Sequence, residues 1–201
     1  MKFTNEIIQF LVMINPFALF LYLNPLMAKL SNKDFIKVLV KASLISFLTY
    51  IIFLLAGDFI FSQIFQIDYE AFRVFGGIVI FSFAYIYIVK GGRAILEDNG
   101  NLNDLAATIA MPFMVGAGTI SLSIIMGKNY PYYIGVGIIT ASVIFSFGFI
   151  LLLKKLKDIL PENAKIAFDK NMEVLLRLNG FFVGAIGINM MFTGIKRIFG
   201  L

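Results

Sequence analysis

Two runs in this sequence combine residues that can hold a small polar solute. The first is Asn15-Pro16, with Asn24-Pro25 downstream; the second is Pro112 followed by Gly116-Ala117-Gly118-Thr119, Ser121 and Ser123. A proline inside a helix deletes an N–H and pushes against the carbonyl four residues back. Glycines let the backbone unwind and approach a ligand closely. The half-helix that resumes beyond such a break presents free N–H groups and its positive dipole end, which suit a carboxylate. Asn15, Thr119 and Ser121 add side-chain hydrogen bonding. The competing reading is a pair of kinked helices packed through glycine, because Pro and Gly are both frequent in membrane helices.

Catalytic chemistry finds little material. The chain has no Cys and no His, which removes thiolate sites, the commonest metal ligand and the commonest general base. No Asp or Glu falls centrally in any long apolar stretch, and Lys41, near a stretch end, is the one lysine placed to join a serine. The expectation is a non-enzyme, without metal or cofactor apart from a coupling ion, Na⁺ or H⁺. Na⁺ held on unwound carbonyls would need no side-chain acid, and no residues are assigned to it.

These runs must be positioned by membrane spans. The chain has 201 residues, 60% of them hydrophobic and only 14% charged. Soluble domains are nearer 45–50% apolar and about 25% charged. Six stretches approach the roughly 20 apolar residues of a span: Ile7 to Met27, Val38 to Ala56, Ala71 to Val89, Leu105 to Met126, Tyr132 to Leu153 and Leu178 to Ile195. The first is too long for a signal-peptide core and lacks a small-residue cleavage site after it, so it reads as a span. The connection from Lys154 to Arg177 carries Pro161 and mixed charges and reads as holding an interfacial helix. Twelve Lys and Arg fall on one side of this arrangement and five on the other. The richer side is expected to be cytoplasmic and both termini extracytoplasmic, in a multi-pass protein of the cell membrane.

The third and sixth spans align at a shift of 104 residues, with Arg73 on Arg177, Gly76 on Gly180, Val79 on Val183 and Arg93 on Arg197. Pro16-Phe17 and Pro112-Phe113 fall mid-span in the first and fourth. Three spans per repeat is odd, so the second copy enters the membrane from the opposite side, as in many secondary transporters. The fold expected is all-α: one membrane domain over 1–201, made of inverted repeats 1–98 and 99–201, with discontinuous first and fourth helices. Arg73 and Arg177 read as paired with Glu70 and Glu173, one helix face away, with gating the alternative. Gly180 and Gly184 read as a packing face. Asn179 and Asn189 read as interhelical hydrogen bonders. Ser43, Ser46, Thr49, Thr140, Ser142 and Ser146 read as bonded to their own helix carbonyls.

Taken together, Asn15-Pro16, Ala71-Phe72-Arg73-Val74-Phe75-Gly76-Gly77-Ile78, Ala110-Met111-Pro112 with Gly116-Ala117-Gly118-Thr119-Ile120, and Arg177-Leu178-Asn179-Gly180 with Gly194 resemble the MarC family of six-span membrane proteins. The resemblance covers essentially the whole chain. It departs where the family usually has Gly-Pro-Gly in place of Gly116-Ala117-Gly118, Gly in place of Ala18, and Pro in place of Leu21. What it implies is transport of small neutral amino acids such as glycine and alanine. The expected substrate-binding residues are then Asn15, Pro16, Pro112, Gly116, Gly118, Thr119, Ser121 and Asn179, with Arg73, Gly76, Arg177 and Gly180 gating or structural. The carboxylate would meet Gly116, Gly118 and Thr119, and the ammonium the Asn15 amide oxygen or freed carbonyls. Partners expected are the amino acid and membrane lipid, not nucleic acid. The alternatives are an exporter of another small solute and a non-transporting membrane subunit whose glycines serve only packing.

Overall fold

A computed structural model describes residues 2–90, 106–107 and 109–200. Seven α-helices run α1 Lys2–Ile14, α2 Pro16–Lys29, α3 Asn32–Phe59, α4 Tyr69–Lys90, α5 Ala117–Asn129, α6 Tyr132–Ile159 and α7 Glu162–Ile198. Two π-helical turns, Ile60–Ile64 and Ile109–Met114, follow α3 and precede α5. No strand occurs among the described residues. The protein is all-helical, and five helical segments are long and apolar enough to cross a bilayer: Thr4–Asn24, Asn32–Ile64, Tyr69–Ile86, Tyr132–Ile159 and Glu162–Ile198.

Local sequence explains most boundaries. Ser31 caps α3 by accepting the Asp34 N–H at 3.2 Å, while its hydroxyl donates to the Asp34 carboxylate at 2.6 Å. Pro16 stands first in α2, where a missing N–H costs that helix nothing. Pro131 and Pro161 likewise precede α6 and α7.

Three expectations change. The stretch from Leu105 to Met126 does not form one continuous span in its described part: the π-helical turn gives way at Val115 to the 13-residue α5. Such a helix is about 20 Å long, against a hydrocarbon thickness of about 30 Å. No separate interfacial helix lies between Lys154 and Arg177, because α6 runs to Ile159 and α7 runs unbroken from Glu162. Arg177 therefore sits well inside a 37-residue helix rather than near its start. The repeat boundary at 98/99 lies outside the described residues.

The lipid-facing side of α3 is a stripe of exposed apolar residues, Leu44, Leu48, Ile52 and Leu55, at helical spacing. Inside, α4 and α7 pack antiparallel through glycines. A methyl on Gly77 would stand 2.5 Å from the Gly187 carbonyl oxygen, and one on Gly187 would stand 2.7 Å from that of Gly77. Farther along, Gly180 faces Ile88 and Gly194 faces Val74 and the Glu70 carbonyl. With no hydrophobic drive between helices in lipid, such close backbone approach is what holds a pair together.

Candidate functional site

The first helix break is built by two adjacent residues. Asn15 takes a left-handed conformation, φ 48° and ψ 68°, which asparagine tolerates better than most. Its Oδ1 accepts the Ala18 N–H at 3.1 Å and so caps α2. Two carbonyls of α1 consequently lose their ordinary partners. Val12 would receive the N–H of residue 16, which is proline, and Ile14 would receive that of Ala18, which has turned to Asn15 instead.

The second break is built by glycine and reach. Val115 N–H bonds five residues back to the Ala110 carbonyl at 2.8 Å. Gly116 is extended, and α5 begins at Ala117. The Thr119 hydroxyl accepts the Gly116 N–H at 3.1 Å and donates to the Gly116 carbonyl at 2.9 Å. The Tyr50 hydroxyl, fully buried in α3, donates to the Met114 carbonyl at 2.6 Å. Helix geometry leaves the N–H groups of Ala117, Gly118 and Thr119 without intrahelical partners.

The two breaks meet in one cavity of about 90 Å³, lined on its polar side by Val12, Met13, Ile14, Asn15, Met114, Gly116, Gly118 and Thr119. Its apolar wall is Ala18, Leu19, Ile80, Phe83, Val183 and Ile186, with Tyr22 beside them. A single water needs about 10–15 Å³ by the same measure, so several waters or a solute of a few heavy atoms would fit. No charged side chain lines it. The C-terminal end of α1 and the N-terminal end of α5 thus face one space, offering freed carbonyls at one pole and freed N–H groups at the other. The opposite pair of ends is closed by its own side chains: Asn15 caps α2, and Tyr50 holds the Met114 carbonyl.

Behind Asn15 lies a polar chain. Asn15 Nδ2 donates to Asn179 Oδ1 at 3.3 Å, and Asn179 Nδ2 reaches the Tyr22 hydroxyl at 3.5 Å. The Ala18 backbone N–H cannot flip, so it fixes the sense of the whole chain.

Of the residues expected in the site, Asn15, Gly116, Gly118 and Thr119 line the cavity, and Asn179 stands one hydrogen bond behind it. Pro16 adjoins it as the first residue of α2, while Pro112 lies upstream of the second break, in the π-helical turn. Pro16 and Pro112 therefore do not occupy matching places. Ser121 is buried, lies off the cavity lining and has an unpartnered hydroxyl. Arg73 pairs with buried Glu70 at 3.0 Å, as does Arg197 at 3.1 Å. Gly76 packs against Ala117 and so sets α4 on the first turn of α5. Arg177 donates to the Ile88 carbonyl at 3.2 Å. Ser46, Thr49, Thr140, Ser142 and Ser146 each bond the carbonyl four residues back, whereas buried Ser43 does not. Asn189 is exposed. Among the described residues no three His, Cys, Asp or Glu gather as metal ligands. Met13, Tyr22 and Tyr50 were missed from sequence, because nothing local marks which side chains a distant helix will bring to a break.

Comparison with known proteins follows the same outline. The family model described as MarC family integral membrane protein matches residues 1–199. A UPF0056 membrane protein of Pyrococcus horikoshii is 30% identical over 186 residues, spanning 92% of this chain and 88% of its own. One from Escherichia coli is 28% identical over 163 residues, 73% and 69% of the two chains. One from Methanocaldococcus jannaschii is 23% identical over 199 residues, 96% and 86%. No solved structure matches the chain significantly.

Proposed function

The chain belongs to the MarC family of integral membrane proteins, and from that premise we propose that it is a secondary transporter of small neutral amino acids of the glycine and alanine class. One observation carries the reading: the freed carbonyls of α1 and the freed N–H groups of α5 border the same uncharged cavity. A zwitterion needs acceptors for its ammonium and donors for its carboxylate a few ångströms apart. Two opposed helix ends supply both without a buried charge. The carboxylate lies against Gly118 and the start of α5, and the ammonium against the Val12 and Ile14 carbonyls. Asn15 Oδ1 and the Thr119 hydroxyl are engaged within the protein, so they shape the site rather than bind the solute.

Alternating access follows from the element order. In each half a break is followed by a short helix, then a 28-residue helix (α3 or α6), then a long helix. We read the halves as inverted repeats completing six crossings, which rock against one another across the cavity, with the lysine-rich end cytoplasmic.

Uptake of labelled glycine or alanine into proteoliposomes tests this, with Na⁺ and proton gradients applied separately to identify a coupling ion. Accumulation or exchange of either amino acid is expected; its absence under every gradient rejects the proposal.

A further inference from the structure

Asn24 and the last turns of α6 play no part in the cavity, yet they form the most deeply buried charged cluster at the lysine-rich end. The Lys154 and Lys157 side chains are only 7% and 10% exposed. Lys157 Nζ donates to Asp169 at 2.6 Å and to Asn24 Oδ1 at 2.7 Å, and Asn24 Nδ2 donates to Asp169 at 3.0 Å. Lys154 Nζ donates to Asp158 at 2.8 Å and also to Asn32 Oδ1. Each ammonium also lies over a ring, that of Phe35 or Phe168.

The distribution across the chain is informative. Both lysines and both carboxylates belong to residues 99–201, whereas both asparagines belong to residues 1–98. Every ion pair in the cluster lies within one half, and every lysine–asparagine bond crosses between halves. Asn24 stands two residues beyond Tyr22, about 3 Å of helix rise from the cavity wall. Phe20, Leu23 and Leu26, on the same helix, are each at most 6% exposed. At the opposite end, two polar links between the halves are the Lys128–Asp58 pair, exposed on both sides, and the Tyr130–Glu6 bond. Exposed pairs of that kind hold little, whereas a charge-assisted bond out of solvent is costly to lose.

We infer that Asn24–Lys157 and Asn32–Lys154 are the latch of a gate, which seals the cavity from the lysine-rich end by tying the two halves together there. The purpose of the latch rests on the transport reading, but its existence does not. Opening this end breaks only the asparagine bonds. Each lysine keeps its carboxylate, so no charge is stranded.

The chain contains no cysteine, so a single Leu19→Cys on the cavity wall reports access without background. A membrane-impermeant maleimide is applied to each face of sealed vesicles in turn. Leu19→Cys alone is expected to label slowly from the lysine-rich face. Adding Asn24→Leu and Asn32→Leu is expected to raise that rate by at least about tenfold, the loss of one charge-assisted bond being enough, with little change from the other face. Each single asparagine variant gives a smaller rise in the same direction. An unchanged rate in the double variant overturns the latch, as does an equal rise from both faces, which marks general loosening. Labelling needs no solute, so this outcome and the uptake experiment fail separately.

Discussion

At the scale of single residues, Met13 and Gly118 set the room in the cavity. A methyl on Gly118 would stand 2.7 Å from Met13 Sδ and 3.4 Å from Met190 Sδ. Thioether chains are flexible and can give way, so Gly118→Ala is expected to fold and to push Met13 into the cavity, abolishing alanine uptake. Met13→Ala is expected to restore it in the double variant and, alone, to admit larger amino acids such as leucine. Competition assays in proteoliposomes read both. Asn15 has two duties, a left-handed backbone and a cap. Asn15→Gly keeps the first and is expected to cost a few tenths of a kcal/mol through the cap. Asn15→Ala loses both and is expected to cost about 2 kcal/mol or more, measured by unfolding in detergent. Tyr130, outside the spans, is held above the ordinary tyrosine range, chiefly by its hydrogen bond to Glu6. The folded pKa is raised, so this bond contributes fully below the ordinary tyrosine value and is lost as pH rises through the raised one. Ultraviolet titration should show Tyr130 ionising late, and Glu6→Leu should return it to the ordinary range.

Among the elements, the α4–α7 pair shows why glycines that look alike in sequence differ in consequence. Gly77 faces a backbone carbonyl that cannot move aside, whereas Gly137 and Gly148 in α6 have nothing within 4 Å of an added methyl. Gly77→Ala is expected to destabilise by about 1–3 kcal/mol through overpacking. Gly148→Ala is expected to be neutral or to stabilise by up to about 1 kcal/mol through helix propensity. Thermal unfolding of the two variants side by side checks the contrast, and equal effects would remove the packing account. Serines and threonines follow the same logic at lower cost: most satisfy themselves one turn back and ask nothing of their neighbours.

For the whole molecule, the two ends differ in how they are held. The lysine-rich end is closed by buried bonds between the halves, while Lys128–Asp58 at the other end stays in solvent. The topology behind this is open to test. Single cysteines replacing Lys33 and Lys128 are expected to label from opposite faces of the membrane; labelling from one face would remove the inverted arrangement. What the sequence by itself determined is local: the apolar lengths of the spans, the loss of an N–H at Pro16, the glycine-built break at Gly116, and the pairing of Glu70 with Arg73 one turn away. These depend on covalent structure and helical spacing, which need no partner from afar. Tertiary structure alone decided which freed groups stay open. Tyr50, 64 residues away, takes the Met114 carbonyl, and Asn179, 164 residues away, takes the Asn15 amide. It also decided that Lys154 and Lys157, which read as solvated loop charges, are buried. A hydrogen-bonding group is available to a solute only when no other part of the fold has already satisfied it. That competition is settled by packing between distant helices, and so the breaks that were legible in the sequence became a site only once the fold had closed every end except those of α1 and α5.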